Sequence, residues 1–391
     1  MSNKKPERDI QTRRQLFDFL QGQMQVTYTD LKENQRYSHE SSLIKSYIIE
    51  VNTPTVWNGN SNEWLAQLFS AEVNSRYKIN LIPTSEEAFH QIQIKVDDHD
   101  LRLYLDASTD PRFWLAYSIS ESQSLDRWLE TIVRRSIDFD FVWLWPHFLE
   151  RVQQNGYFRG FGLDYDYRKF ESDETETTTY LKMQLWGGEN TQKLYSILQA
   201  DPDFRSKVVL SKVRFKQMSS DDHNPENFAI QDVKYNGKFT ARGTDLNTHL
   251  VTLNDVRSKY REQILGIEDQ CSLKWIENTL GGVSLEGYAI HFLPDNFEIP
   301  VSLLVEKIFD GTEPFRLLGF PNLINEFSAV MEVVDLHTGG KLSIELHPDV
   351  MTVYLPEHTC GNSIARLYTN IQHSFNVGFR VETDNGNQLF D

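Results

Sequence analysis

The stretch IQIKVDDHDLRLYLDASTDPRFWLAYSISESQSLDRWLETIVRR, residues 92–135, decides the fold. Three runs within it, Ile92–Val96, Leu101–Leu105 and Phe113–Ile119, alternate apolar and polar residues, the period of a strand with one buried face. Between them lie Asp97-Asp98-His99-Asp100 and Ser108-Thr109-Asp110-Pro111, both turn-forming. The period then lengthens: Leu125, Trp128, Leu129 and Ile132 share one side of a helix that Ser124 is expected to cap. Upstream, Tyr77–Ile82 adds a further strand. Before it, Asn62 starts a helix carrying Trp64, Leu65, Leu68 and Phe69, and Tyr47–Val51 reads as a first strand ended by Pro54 and Asn58-Gly59-Asn60. The order is one strand, a helix, four strands, a helix.

A shift of 239 residues lays this pattern over the C-terminal part without a gap. Trp64 falls on Leu303, Phe69 on Ile308, Ile92 on Met331, Leu103 on Leu342, Trp114 on Val353, Arg127 on Arg366 and Ile132 on Ile371. What repeats is size and polarity, with few identities. A looser copy lies between. It has strands at Tyr180–Trp186, Lys207–Lys216 and His249–Leu253, a hairpin of Phe228–Tyr235 and Lys238–Arg242 about Asn236-Gly237, and helices at Asn190–Gln199 and Val256–Leu265. A helix at Pro146–Gln154, a strand at Phe158–Tyr167 and the acidic loop Glu171–Glu176 read as insertions.

The expected fold class is therefore α+β, built from repeated β-α-β4-α modules. Four segments follow: a polar arm with a short helix near Gln11–Gln21 over 1–43, a first module over 44–145, a locally basic second module over 146–265, and an acidic third module over 266–391 that repeats the first. A unit of this order resembles the repeat of TATA-box-binding-protein-like folds. The resemblance implies curved antiparallel sheets with helices on one face, and recognition by a sheet face; it names no ligand.

With 39 lysines and arginines against 56 acids among 391 residues, the net charge of −17 opposes indiscriminate binding to nucleic acid or anionic lipid. The basic start, Met1–Arg14, is followed by no apolar core, so neither a signal nor a transit peptide is expected. No run is long and apolar enough to span a bilayer. Cys271 and Cys360 stand alone, which points to a reducing, cytoplasmic setting. Walker, nucleophile-elbow, HExxH and dinucleotide signatures are missing, and Gly160-Phe161-Gly162 lacks a third glycine and runs into a strand. No catalytic residue, metal or cofactor is expected.

Weaker constellations remain. Asp222 with Asp232-Val233-Lys234 has the parts of a metal-dependent nuclease, carboxylates for Mg²⁺ and a lysine for the attacking water, but Asp-x-Lys on the polar side of a strand is common. His347, His358 and Cys360 carry zinc-ligand chemistry at a spacing that matches no zinc motif. Charge is more telling. Residues 266–391 hold six lysines and arginines against eighteen acids, whereas 180–265 hold thirteen against ten. Lys212, Arg214 and Lys216 alternate along one strand with Val213 and Phe215, so they share a face that Lys234, Lys238 and Arg242 could extend as a phosphate-binding surface. The aromatic run Phe141, Trp143, Trp145 and Phe148 either fills a core or, if exposed, forms a partner interface.

The expected function is a noncatalytic recognition or adaptor subunit that docks protein partners in a cytosolic assembly, without membrane contact. Nucleic-acid binding by the basic face of the middle module is the alternative, and a metal-dependent hydrolase or nuclease comes third.

Overall fold

The computed structural model describes residues 10–34, 43–52, 63–66, 68, 77–97, 99–166, 180–205, 208–219, 226–277, 281–294, 300–325, 327–374 and 379–390. It is a mixed α+β protein with eight helices of definite bounds among these residues and two antiparallel-dominated sheets. No helix among them is long and apolar enough to cross a membrane. Two compact units interleave along the chain. The first takes Met1–Phe141, Lys216–Gln231 and Lys238–Asn254, and the second takes Val142–Phe215, Asp232–Gly237 and Asp255–Asp391. The segment limits expected at 145 and 265 do not coincide with these boundaries. Of the sequence features named above, Pro54, Asn58–Asn60, Asn62, Phe69, Asp98, Tyr167, Glu171–Glu176, Lys207 and Asp222 lie outside the described residues.

In the first unit, β1 (Ile44–Val51), β2 (Tyr77–Ile82), β3 (Phe89–Val96), β4 (His99–Asp106) and β5 (Phe113–Ser118) join in the order β2-β3-β4-β5-β1. β3 and β4 bury Ile92, Ile94, Leu101, Leu103 and Leu105 at the alternate positions the pattern requires. β1 is buried along its whole length, because it lies between β5 and β11 (Lys238–Gly243) and also pairs with the short β6 (Phe139–Phe141). Helix α2 (Ser122–Arg135) buries Leu125, Trp128, Leu129, Ile132 and Val133. Its cap is Glu121 rather than Ser124: the Glu121 carboxylate accepts the Gln123 N–H at 2.7 Å and the Ser124 N–H at 2.6 Å. Burial alone would raise that carboxyl, but its hydrogen bonds from Ser124 and Gln123 outweigh it and hold the group below its usual range.

The expected arm is a longer element. Helix α1 spans Arg13–Asn34, burying Leu16, Leu20 and Met24 at successive fours. Phe17 meets Tyr117 edge-on at 5.8 Å, and Arg13 binds Glu86 at 2.6 Å and Asp106 at 2.9 Å. Residues 13–34 are therefore an integral part of the first unit.

The second unit contains α3 (Pro146–Gln153), β7 (Tyr157–Asp166), β8 (Tyr180–Trp186), α4 (Glu189–Ala200) and α5 (Pro202–Arg205). Its larger sheet runs β13 (Val283–Glu286), β12 (Ser272–Glu277), β18 (Val350–Pro356), β17 (Lys341–His347), β16 (Ser328–Asp335), β15 (Leu317–Asn325). β14 (Ile290–Pro294) pairs with both β18 and β19 (Phe379–Thr383). Helix α7 (Val301–Ile308) buries Val301, Leu304, Val305 and Ile308, and α8 (Asn362–Ser374) is buried on every side. β9 (Val209–Met218), β10 (Phe228–Lys234) and α6 (Leu246–Cys271) each begin in one unit and end in the other.

Helix α6 corrects the expected strand at His249–Leu253. Asp245 caps it, accepting from the Asn247 and Thr248 N–H groups, and Leu246, His249, Leu253, Val256, Tyr260, Ile264, Ile267 and Cys271 are buried at helical spacing. Thr-His-Leu-Val-Thr-Leu is β-prone only when read without its cap and its downstream continuation. Mid-helix, Gly266 has nothing within 4 Å of where a Cβ would stand. Gly266→Ala is therefore expected to stabilise by about 0.5–1 kcal/mol, read as a higher urea midpoint at unchanged slope.

The aromatic run is core, and its reading as a partner interface is corrected. Phe141 is buried where β6 pairs with β1. Trp143, Trp145 and Phe148 are buried in the second unit, where Trp145 meets Phe390 at 4.8 Å and Phe148 at 5.0 Å. The Tyr260 hydroxyl donates to Asn362 and accepts the Trp143 N–H at 3.0 Å, so it is paired inside this cluster.

Candidate functional site

Two of the six expected basic residues, Lys212 and Arg214, lie in a layer on β7, β8 and β9 in the second unit. β7 and β8 pair with Gly160 opposite Trp186, Gly162 opposite Gln184 and Asp164 opposite Lys182. The two glycines are needed for clearance. A Cβ at Gly160 would stand 2.3 Å from Trp186 Cε3, and one at Gly162 would stand 3.1 Å from Lys212 Cβ. Over this floor lies the Trp186 indole, 38% exposed. The Arg214 guanidinium sits 3.8 Å from its ring centroid and Lys212 Nζ sits 4.7 Å away.

Both cations also hold Asp232. Lys212 Nζ lies 3.0 Å from the carboxylate, and Arg214 donates to it through Nη2 at 2.5 Å and also through Nε. Burial alone would raise the Asp232 carboxyl, but Arg214 and Lys212 outweigh it and leave the group below the usual carboxylate range. Burial lowers the Lys212 ammonium against the pull of Asp232. Val213 and Phe215 are buried on the opposite side, as their parity demands.

The remaining members of the expected row are placed differently. Lys216 lies over the Phe228 ring at 3.9 Å, and Lys234 and Arg242 are half-buried. Lys238 is buried in the first unit, with Nζ 2.6 Å from Asp126, which also accepts the Tyr47 hydroxyl at 2.8 Å. The six residues thus do not form one open strip of solvated cations.

Asp232 is committed to two cations, so the half of the nuclease constellation that is described has the wiring of an ion-pair cluster. His347, His358 and Cys360 do not form a group of converging ligand atoms. His347 Nδ1 faces the Ser328 hydroxyl at 3.2 Å, His358 occupies a positive-φ turn position, and Cys360 is buried. Burial pushes the Cys271 thiol up to about 11, with Asp384 adding to the effect, so it is a poor nucleophile.

Sequence reading missed one polar chain in the first unit. Ser46 Oγ lies 2.9 Å from His249 Nε2, and His249 Nδ1 lies 2.8 Å from Gln231 Oε1. Because Gln231 Oε1 can only accept, Nδ1 carries the proton and Nε2 accepts from the serine hydroxyl. Gln231 Nε2 donates onward to Thr252 at 2.8 Å and Gln217 at 3.1 Å. The distances suit a nucleophile and base, yet Ser46, Gln231 and His249 are all fully buried. Their chemistry is to satisfy one another.

The family model described as MJECL33-like protein matches residues 4–390. This chain belongs to the MJECL33-like family. It is 24% identical over 413 aligned positions to Uncharacterized protein MJECL33 of Methanocaldococcus jannaschii, with 96% of this chain and 95% of that protein covered. This MJECL33-like chain is thus similar to that protein along nearly its whole length, and the matched region takes in nearly all of both units.

Proposed function

We propose that the chain is a noncatalytic recognition or adaptor subunit that docks protein partners in a cytosolic assembly. The observation that carries this reading is apolar surface left uncovered near both edges of the eight-stranded sheet that runs from β13 to β15. At one edge Trp275 is 74% exposed opposite Leu285, with Val283 beside them. At the other, Phe320 is 66% and Ile324 60% exposed, with Leu323 and Phe327 also open to solvent. Aromatic and aliphatic side chains in this number on edge strands mark association surfaces. Supporting it, the groups that resemble catalytic parts are buried and paired with one another. The strand orders β2-β3-β4-β5-β1 and β15-β16-β17-β18-β14 also support the reading of the two halves as duplicated modules.

Chromatography of the chain isolated from its native cells is expected to show a larger complex. Trp275→Ser or Phe320→Ser should dissociate it, with a loss of about 2 kcal/mol or more for an anchoring aromatic. A native protein that elutes alone would overturn the reading.

Nucleic-acid binding is the second reading, favoured by the half-exposed Trp186 within its cationic layer. On that reading Trp186→Ala should weaken binding to a short single-stranded oligonucleotide by about 1–3 kcal/mol. No measurable binding by the unaltered chain near physiological salt would dismiss it. Replacing Lys212, Arg214 and Lys216 by Glu is a poor test, because two of the new carboxylates would crowd Asp232. That variant is expected to unfold.

A further inference from the structure

We infer that the polar face of the eight-stranded sheet is a binding site for a lysine- or arginine-rich protein segment lying across the strands. The inference rests on the protein-docking reading, whose exposed Phe320 stands on this face, and it names the partner's chemistry. Strands β14, β16, β17 and β19 alternate buried and accessible residues, and the opposite face of the sheet buries Ile290, Phe292, Met331, Ile344 and Val353. The register sets the polar-face residues in rows. Glu382, His291, Thr352, Glu345, Val330 and Asn322 stand side by side in one, and Tyr354, Ser343, Glu332 and Phe320 stand in the next. Side-chain contacts agree with that order. His291 lies 3.0 Å from the Thr352 hydroxyl and 2.7 Å from Asp384, and the Ser343 hydroxyl donates to Glu332 at 2.8 Å.

Charge selects the occupant. Glu332, Glu345, Glu382 and Asp384 lie in this band, and among the described residues none of them forms an ion pair with a lysine or arginine. Elsewhere the protein matches its acids: Asp126, Asp232 and Asp335 each hold a lysine or arginine. The two cations of the face, Arg380 and Lys341, stand in the flanking rows, opposite Leu293 and Val334. The band therefore keeps an uncompensated negative field. Tyr354 registers it, its hydroxyl pushed up by burial and then by the Glu345 and Asp384 charges. Such a field repels phosphate, and it repels a second copy of a chain whose net charge is −17. A polycation is what it attracts.

Shape narrows the choice. Among the described residues no three of these carboxylates converge within reach of one metal ion. They are strung instead along a band that crosses the sheet from β19 to β15, about 24 Å at about 4.8 Å per strand. That length suits an elongated ligand, such as a helix of about sixteen residues. At the β15 end the exposed Phe320 ring offers an apolar contact, with Ile324 exposed farther along the same strand. A simple polyamine makes little use of that contact. A protein segment with an apolar residue beyond its cations uses both parts of the face.

A fluorescent synthetic helix of about sixteen residues, with lysines along one side and leucines near one end, tests the inference by anisotropy on the full chain. It is expected to bind, more weakly as salt rises, and its counterpart with glutamate in place of lysine should not bind. Glu332→Gln combined with Glu345→Gln, which keeps an acceptor for the Ser343 hydroxyl, should weaken binding about tenfold or more, and Phe320→Ser should weaken it severalfold. Glu262→Gln combined with Asp269→Asn removes the same charge from exposed positions on α6 and should leave binding unchanged. No binding of the lysine helix, equal losses from the two charge-removing pairs, or displacement of the helix by an equal concentration of spermine would overturn the inference. A native complex lost through Trp275→Ser but indifferent to the Glu332→Gln and Glu345→Gln pair would sink the basic partner and leave the docking function standing. Band-specific binding of the lysine helix by a native protein that elutes alone would do the reverse.

Discussion

Arg366→Ala is expected to destabilise the second unit by about 3–5 kcal/mol, the cost of breaking a fully buried ion pair from one side. Arg366 and Asp335 are both wholly removed from solvent. The guanidinium donates to the Asp335 carboxylate through Nη2 and to the Phe315 carbonyl through Nε at 2.7 Å. Asp335 also accepts from the Ser363 hydroxyl and from the His337 N–H at 2.9 Å. Burial alone would raise the Asp335 carboxyl; Arg366 and these hydrogen bonds overcome that and hold it below the usual carboxylate range. Without the arginine, the carboxylate either stays charged and uncompensated or takes up a proton in a site arranged for the anion. Urea unfolding of Arg366→Ala beside the pair Asp335→Leu with Arg366→Met separates these effects. The double variant should recover only part of the loss, because the Phe315 carbonyl, the Ser363 hydroxyl and the His337 N–H are each left without a partner at about 1 kcal/mol or more. A single-variant cost under about 1 kcal/mol would show that the pair is not the buried unit described. Arg127, which the sequence pattern sets against Arg366, is exposed on α2, and Arg127→Ala should cost less than about 0.5 kcal/mol.

That contrast shows where the sequence is readable. Alternation and turn residues located β3, β4 and β5 closely, because each strand has a local stop on either side, although β5 is buried on both faces where the alternation led one to expect a single one. The same patterns carry no information about what lies across a sheet. Arg127 and Arg366 look alike in one dimension, and only packing decides which is buried. Parity set Lys212 and Arg214 on the face opposite Val213 and Phe215. That Asp232 lies within reach of both depends on the arrangement of neighbouring strands, which no local signal encodes. The Gly160 clearance for Trp186 needs the β7–β8 register across the acidic stretch between those strands, and the Gly162 clearance for Lys212 needs β9 beside them. Helix α1 was underestimated because Leu16, Leu20 and Met24 read as a weak stripe until an apolar sheet stands beneath them.

Acid is expected to unfold the first unit from the inside, through a histidine rather than through its carboxylates. His249 is wholly buried, and burial alone lowers it from 6.5 to about 4. Its two ring nitrogens already serve the Ser46 hydroxyl and the Gln231 carbonyl oxygen, so the neutral form is the one the network fits. Above about pH 6.5 the folded and unfolded chains agree on its protonation and no penalty arises. As the pH falls below that value the unfolded chain takes up the proton first, and stability drops by about 1.4 kcal/mol per pH unit until the folded-state value near 4 is reached. The loss is about 2 kcal/mol at pH 5 and about 3 kcal/mol at pH 4, a large share of the stability of an ordinary domain. His90, also buried, is lowered from 6.5 to about 4 by desolvation and by Arg13, with Asp106 opposing, and adds to the same acid limb. Urea midpoints across this range should therefore fall steeply between about pH 6.5 and 4. His249→Gln keeps a neutral polar group at the position; it should be less stable near neutrality and visibly flatter in its acid response, with the His90 slope remaining. If the variant and the unaltered chain lose stability in parallel as the pH falls, His249 is not the group being titrated.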